Sequence, residues 1–259
     1  MISVVICSVE SSAADLVRRN AMRTAGTLAK PFTDMEFIII DNNQDPRGIC
    51  AVYNEGARRA QGDILLFMHE DVFFMDFNWG NILEEKFANN PELGVLGLAG
   101  SQILNATPPF WPWFGDPYLA GRIVHEINDG KDFFIMPYGA DNNDKRVLVA
   151  DGLWLAVRRQ AWEKHPFDEE TFKNFHFYDL DLCMQMYPQY QVVVSSEILV
   201  KHLSQGSFGP VWEQEAELFL EKWGHKLPLS VPGISIPQQR GPMPVSVNIK
   251  GQISQQTIV

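Results

Sequence analysis

Four short apolar runs, separated by three stretches of helical period, fill the first hundred residues and constrain the fold more than any other feature. The runs are "ISVVICS" from Ile2, "MEFIIIDNN" from Met35, "ILLFMHEDV" from Ile64 and "LGVLGLAGS" from Leu93. Between them, Val17, Ala21, Ala25 and Leu28 fall on one helical face, with Ser11 or Ser12 placed to cap it. Ile49, Val52, Tyr53, Ala57 and Ala60 share a second face, and Trp79, Ile82, Leu83 and Phe87 a third. Strands that are apolar on both sides need cover on both sides. The pattern therefore predicts an α/β fold with a mostly parallel central sheet flanked by helices. Ligands of such sheets bind beyond the carboxyl ends of the strands. Polar residues gather there three times over: Ser8 and Glu10, Asp41 and Asn42, Glu70 and Asp71.

The alternation stops after Ser101. Residues 105–148, with "TPPFWPWFGDPY", carry no period and are too long for a plain connector, so they read as a binding loop or lid. Order resumes at "VLVADGLWLAVRRQAWEKHPFDEETF", and a helix is expected from near Asp179, where Leu180, Cys183, Met184 and Tyr187 share a face. "YQVVVSS" reads as a strand. Pro210 opens a last helix with Trp212, Ala216, Phe219, Leu220 and Trp223 on one stripe. From Pro228 the chain turns Pro-, Gln- and Ser-rich. It reads as a flexible tail, or as an arm whose alternating "MPVSVNIKGQIS" adds strands to a neighbouring subunit and so makes a homo-oligomer. The expected division is one domain over 1–227, in halves 1–101 and 102–227, followed by the arm or tail 228–259.

A net charge of −11 argues against nucleic acid, whose phosphates call for clustered Lys and Arg. An acidic chain can still bind a diphosphate when a divalent cation lies between the two anions. Cys7, Cys50 and Cys183 lack metal-ligand spacing and read as reduced thiols. The opening "MISVVICS" has no basic leader and too short an apolar run to be a signal peptide or membrane span.

The residues able to carry chemistry stand at the strand ends. His69, Glu70 and Asp71 together can hold a hard divalent cation; the plain alternative is an exposed loop. Asp179 and Asp181 stand at a helix start, where capping alone accounts for one of them and a general base for the other. His202 follows a strand and can ligate a metal or be structural. Trp111, Trp113 and Trp154 can stack on a sugar ring, although tryptophan is more often core. Gly56 in mid-helix costs about 1 kcal/mol relative to Ala, which either a ligand's approach or tight helix–sheet packing repays. Asn54, on the same helix, is a further candidate for the ligand side.

In order and spacing, "ISVVICS", "FIIIDNN", "YNEGARRAQGDILLFMHED", "VADGLWLAVRRQAWEKHPFDE" and "FYDLDLC" resemble an inverting GT-A fold glycosyltransferase of family 2 type. The nearest resemblance is to its short bacterial glycosyltransferase-like members, over roughly residues 2–205. The resemblance implies a nucleotide-diphospho-sugar transferase fold, with 1–101 as the nucleotide half and 102–227 as the acceptor half. It implies base and ribose over Ser8, Val9, Glu10 and Asp41, with Asn42, Asn54, His69 and Glu70 as further donor-side residues. Asp71 then takes the place of the metal-binding acid of a D-x-D-like element, with His202 as a downstream ligand and Mn2+ or Mg2+ as cofactor. Asp179 becomes the catalytic base, and Asp151 and Gly152 form the acceptor-side element, beside which Trp154, Trp111 and Trp113 are read from the residues as stacking candidates for the substrate. His69 stands where the family has an aspartate, and Tyr178 where it has a glutamate.

The implied function is transfer of a sugar from a nucleotide-diphosphate donor to a glycan, lipid-linked or small acceptor hydroxyl, with inversion. The alternative is a non-catalytic nucleotide-sugar or glycan-binding module of the same fold. A nucleotidyltransferase would need a Gly-rich phosphate loop with Lys or Arg, which "CSVESSAAD" does not supply. The expected location is cytoplasmic, with peripheral contact at the inner membrane face as the one membrane association allowed.

Overall fold

The computed structural model describes residues 1–127, 132–139, 143–204, 208–243, 246–248 and 253–254. The first half alternates as its periodicity requires: β1 (Ile2–Ser8), α1 (Ser11–Thr24), β2 (Met35–Asp41), α2 (Ile49–Arg59) and β3 (Ile64–His69). There follow β4 (Val72–Phe74), α3 (Trp79–Asn89), β5 (Leu93–Gly97), β6 (Ala99–Ser101) and β7 (Ile103–Leu104). Beyond it come β8 (Leu119–Ile127), β9 (Asp132–Pro137), β10 (Lys145–Val147), β11 (Val149–Ala150), β12 (Trp154–Arg158) and α4 (Arg159–Lys164). The chain continues through α5 (Tyr178–Met186), β13 (Gln191–Val194), β14 (Val200–His202), α6 (Pro210–Trp223), β15 (Leu229–Ser230), β16 (Ser246–Asn248) and β17 (Ile253–Ser254).

Among the described residues, the main sheet runs β10-β13-β5-β12-β3-β1-β2. β1 pairs in parallel with β2 and β3, and β5 with β13; β12 enters antiparallel between β3 and β5. Val4, Val5, Ile6, Leu65, Leu66, Phe67 and Met68 are fully buried, as strands covered by helices on both faces must be. Gly56 is explained by packing alone. A Cβ there would lie 2.3 Å from Cγ1 of Val5, so α2 rests directly on β1.

Two expectations fail locally. Leu28 is fully exposed, because α1 ends at Thr24 before that turn is reached. Neither Ser11 nor Ser12 caps α1; Glu10 occupies the cap position. The larger correction concerns the segment 105–148, which is not all loop: β8 and β9 join a second sheet and β10 the main one, while 105–118 carries no strand. β8 pairs with β6, β9 and β14, and β14 in turn pairs with β4. The run read as one strand, "ILLFMHEDV", is thus divided: β3 belongs to the first sheet and β4, which begins at Val72, to the second, with Glu70 and Asp71 at the corner between them.

The segment after Pro228 also finds partners in its own chain. β15 pairs with β7, β16 with β9, and β16 with β17. Residues 244–245, 249–252 and 255–259 of the expected arm lie outside the described residues. Among the described residues, no helix is long and apolar enough to cross a membrane.

Candidate active site

The corner between the sheets sets the first cluster. β4 and β14 are antiparallel with His202 opposite Val72, and the Leu203 N–H donates to the Asp71 carbonyl. This register brings His202 Nε2 to 3.3 Å from Asp71 Oδ1, and Ser204 Oγ lies 3.0 Å from the same nitrogen. His69 completes the group: one ligand atom from each of His69, Asp71 and His202 lies within 4.8 Å of the others. Burial would raise the Asp71 pKa, but the His202 hydrogen bond, the two imidazoles and Ser204 bring it down to about 2. Burial, reinforced by His202, lowers His69 to about 4, so its ring is neutral at about pH 7. A carboxylate and two imidazoles with lone pairs to offer form a donor set that fits a divalent transition metal.

Glu70 answers to the protein instead. Its carboxylate accepts from Ser8 Oγ at 2.7 Å and from the backbone N–H groups of Val9 and Glu10. It therefore ties the acidic corner to the start of α1, where peptide N–H groups are otherwise unpaired. Val9, Glu10 and Asp41 remain exposed on the rim; Ser8 is buried and pairs in register with Asp41. Asn42 is buried, with its amide bonded to both the N–H and the carbonyl of Arg47.

The second cluster is built on the β11–β12 connection and the start of α5. Asp179 Oδ2 accepts from Gly152 N at 2.8 Å and Oδ1 from Leu180 N at 2.9 Å. Asp151 accepts from Leu153 N and, at 3.2 Å, from Trp111 Nε1. Burial first, and then the charge of Asp151, push Asp179 up to about 7. Phe177, with φ +60°, turns the chain into α5 in the left-handed region, which costs a non-glycine residue on the order of 1 kcal/mol. The loop before it is held by Glu215, a buried carboxylate that accepts from the N–H groups of Asn174 and His176.

His69 and His202 of the first cluster and Asp151, Gly152 and Asp179 of the second line one cleft of about 820 Å3, walled largely by Phe110, Trp111, Phe134, Phe175, Phe208 and Trp212. The unpatterned segment 105–148 supplies much of this wall.

Three predicted site residues lie elsewhere. Trp154 is completely buried in the central strand β12, where its ring packs edge-on to Phe74, so it cannot face a ligand. Asn54 is a buried bridge, donating to the Phe167 carbonyl and accepting from Phe167 N and Trp162 Nε1. Trp113 lies outside the cleft, with the Arg240 guanidinium 4.0 Å above its ring. Trp111 does line the cleft, but its indole N–H is committed to Asp151.

Asp181 faces the interior. It is buried and bonded to Trp223 Nε1, Lys222 and Gln185. Sequence reasoning missed Tyr178 as a structural partner: its hydroxyl lies 2.7 Å from His69 Nε2. The available signal was that the two departures from the family pattern, His69 and Tyr178, fall on residues that touch. Glu215 and His125, which lines the cleft, gave no signal.

Residues 14–223 match the model of a family described as "Glycosyltransferase like family". A crystal structure of GalNAc-T7 with UDP, GalNAc and Mn2+ is similar at 12% identity and a TM-score of 0.60, over 87% of this chain and 48% of that one. The chain thus spans about half the length of that protein, and at this identity the likeness speaks for the fold. The mannosyltransferase PcManGT from Pyrobaculum calidifontis, in complex with GDP-Man and Mn2+, is similar at 10% identity and a TM-score of 0.49, over 87% of this chain and 70% of that one. No curated protein matches the sequence significantly.

Proposed function

The chain belongs to the glycosyltransferase-like family, and from that premise we propose that it transfers a sugar from a nucleotide-diphosphate donor to an acceptor hydroxyl with inversion. The observation that carries the reading is that a cation-binding set and a raised-pKa carboxylate face the same cleft. The donor's nucleotide lies over the ends of β1 and β2, where Val9, Glu10 and Asp41 stand exposed. His69, Asp71 and His202 would hold a divalent cation, Mn2+ in preference to Mg2+ because two of the three donors are imidazoles, and the bound ion supplies positive charge to the departing diphosphate.

Asp179 is the base. Each of its oxygens accepts one backbone N–H, which fixes the carboxylate while leaving a lone pair on each oxygen. A base titrating near neutrality is matched to its task. The acceptor hydroxyl gives its proton to Asp179 as its oxygen bonds to the anomeric carbon. The bond from that carbon to the diphosphate breaks, and its electron pair leaves with the diphosphate. Attack from the opposite face inverts the centre. Asp151, held by Trp111 and Leu153, keeps Asp179 from being a weak base.

The aromatic walls suit stacking on the ring of a glycan or lipid-linked sugar acceptor. Activated sugar donors are cytosolic, so the reaction belongs in the cytoplasm, at the inner membrane face when the acceptor is lipid-linked. Calorimetric titration of uridine and guanosine diphosphates with Mn2+ tests the reading. Binding that requires the metal and is lost in Asp71→Ala is the expected result. No binding of either nucleotide with metal, or full turnover in Asp179→Asn, would overturn it.

A further inference from the structure

Three hydrogen bonds run in series along the cleft wall from His69 to Asp179. Tyr178 Oη lies 2.7 Å from His69 Nε2 and 2.9 Å from the Gly152 carbonyl oxygen, and the N–H of the same Gly152 donates to Asp179 Oδ2 at 2.8 Å. The proton count follows from chemistry. A carbonyl oxygen only accepts, so the single phenolic proton of Tyr178 goes to Gly152. The proton between Tyr178 and His69 must then come from the imidazole. His69 is therefore the Nε2–H tautomer, and Nδ1 is its only lone pair.

We propose that Tyr178 is a positioning residue for the cation site: its hydroxyl locks His69 in the tautomer that presents Nδ1 as a ligand. This rests on the reading of His69, Asp71 and His202 as that site. A neutral imidazole free in water divides between two tautomers, and the hydrogen bond made by one nitrogen decides which nitrogen is left to bind metal. Tyr178 is well suited to impose the choice. Its ring is buried and packed against Tyr53 and Phe167, with centroids 5.8 and 6.1 Å away, so the hydroxyl has one place to be.

Gly152 is part of the same device. A Cβ at this position would lie 2.3 Å from Tyr178 Oη and 2.9 Å from Asp179 Cβ, so any side chain there would displace both. One peptide unit thus positions the base through its N–H, and its carbonyl orients the phenol that sets the metal ligand.

Tyr178→Phe keeps the ring and removes only the hydroxyl. In an electron paramagnetic resonance titration of the full chain, Mn2+ should bind the variant about 10–100-fold more weakly than the wild type, the usual effect of losing an outer-shell partner. In metal-free protein, imidazole nitrogen chemical shifts should show His69 as Nε2–H in the wild type and as a mixture in the variant. Gly152→Ala should reproduce both changes. Equal Mn2+ affinity in wild type and Tyr178→Phe, or an Nδ1–H tautomer in the wild type, would overturn the proposal alone. A wild type that binds no Mn2+ would overturn the cation reading of the triad and this proposal with it.

Discussion

Asp71, in the cluster with His69 and His202, and Asp179, beside Asp151, have been driven apart in acidity. Both are partly buried, and burial pushes both upward. Asp71 nevertheless ends at about 2, because the His202 hydrogen bond, the two imidazoles and Ser204 outweigh burial. Asp179 ends at about 7, because the charged group beside it is another carboxylate, Asp151. Neighbours rather than burial decide which acid is a permanent anion and which exchanges a proton near neutrality. On the proposed reading, the first would hold a cation and the second would take a proton.

The sharpest way to break this contrast is Asp179→Asn. It should lower kcat about 10²–10⁴-fold, the usual worth of a general base, and leave Mn2+ affinity in a titration unchanged. A parallel loss of metal affinity would mean that the two clusters are not separate. Next is Asp71→Ala, which removes a ligand itself. Its loss of Mn2+ affinity should exceed the roughly 10–100-fold expected of an outer-shell change.

The pH profile sharpens the difference. On the proposed reading Asp179 acts as a base only once deprotonated, so kcat/KM should rise with pH through about 7. In Asp151→Asn one of the two causes of the shift is gone, and the inflection should move toward the ordinary carboxylate range. Stability should respond with the opposite sign. A carboxyl whose folded pKa is raised contributes stability at low pH and loses it as pH climbs through about 7. Asp179→Asn should therefore raise Tm above about pH 7, and that gain should disappear below about pH 4. The smallest functional effect belongs to Asn54→Ala. It strands the backbone of Phe167 and the indole of Trp162 and should cost about 1–3 kcal/mol in denaturant unfolding, with donor KM unchanged.

Much of the first half was legible because its information is local. Runs such as "FIIIDNN" are apolar on both faces, and their ends must carry whatever meets solvent or ligand. His69, Asp71 and Asp179 were singled out on that basis together with the resemblance, and the structure places His69 and Asp179 on the lining of one cleft. Asn54 and Trp154 misled for one physical reason: an amide and an indole look the same in sequence whether they bind a ligand or satisfy the interior. Residues 119–137 were illegible because their strands pair with β6 and β14, partners distant in the chain, and no local period announces such pairing.

By itself the sequence determined the layered sheet, the acidic strand end and an aspartate at the head of a helix, since periodicity and burial act over neighbouring residues. Only the tertiary structure decided that β3 and β4 part company at Asp71, that His202 arrives beside it, and that Tyr178 reaches His69 across 109 positions of chain. Hydrogen bonds act over about 3 Å, and which distant atoms come that close is fixed only when the sheets are packed.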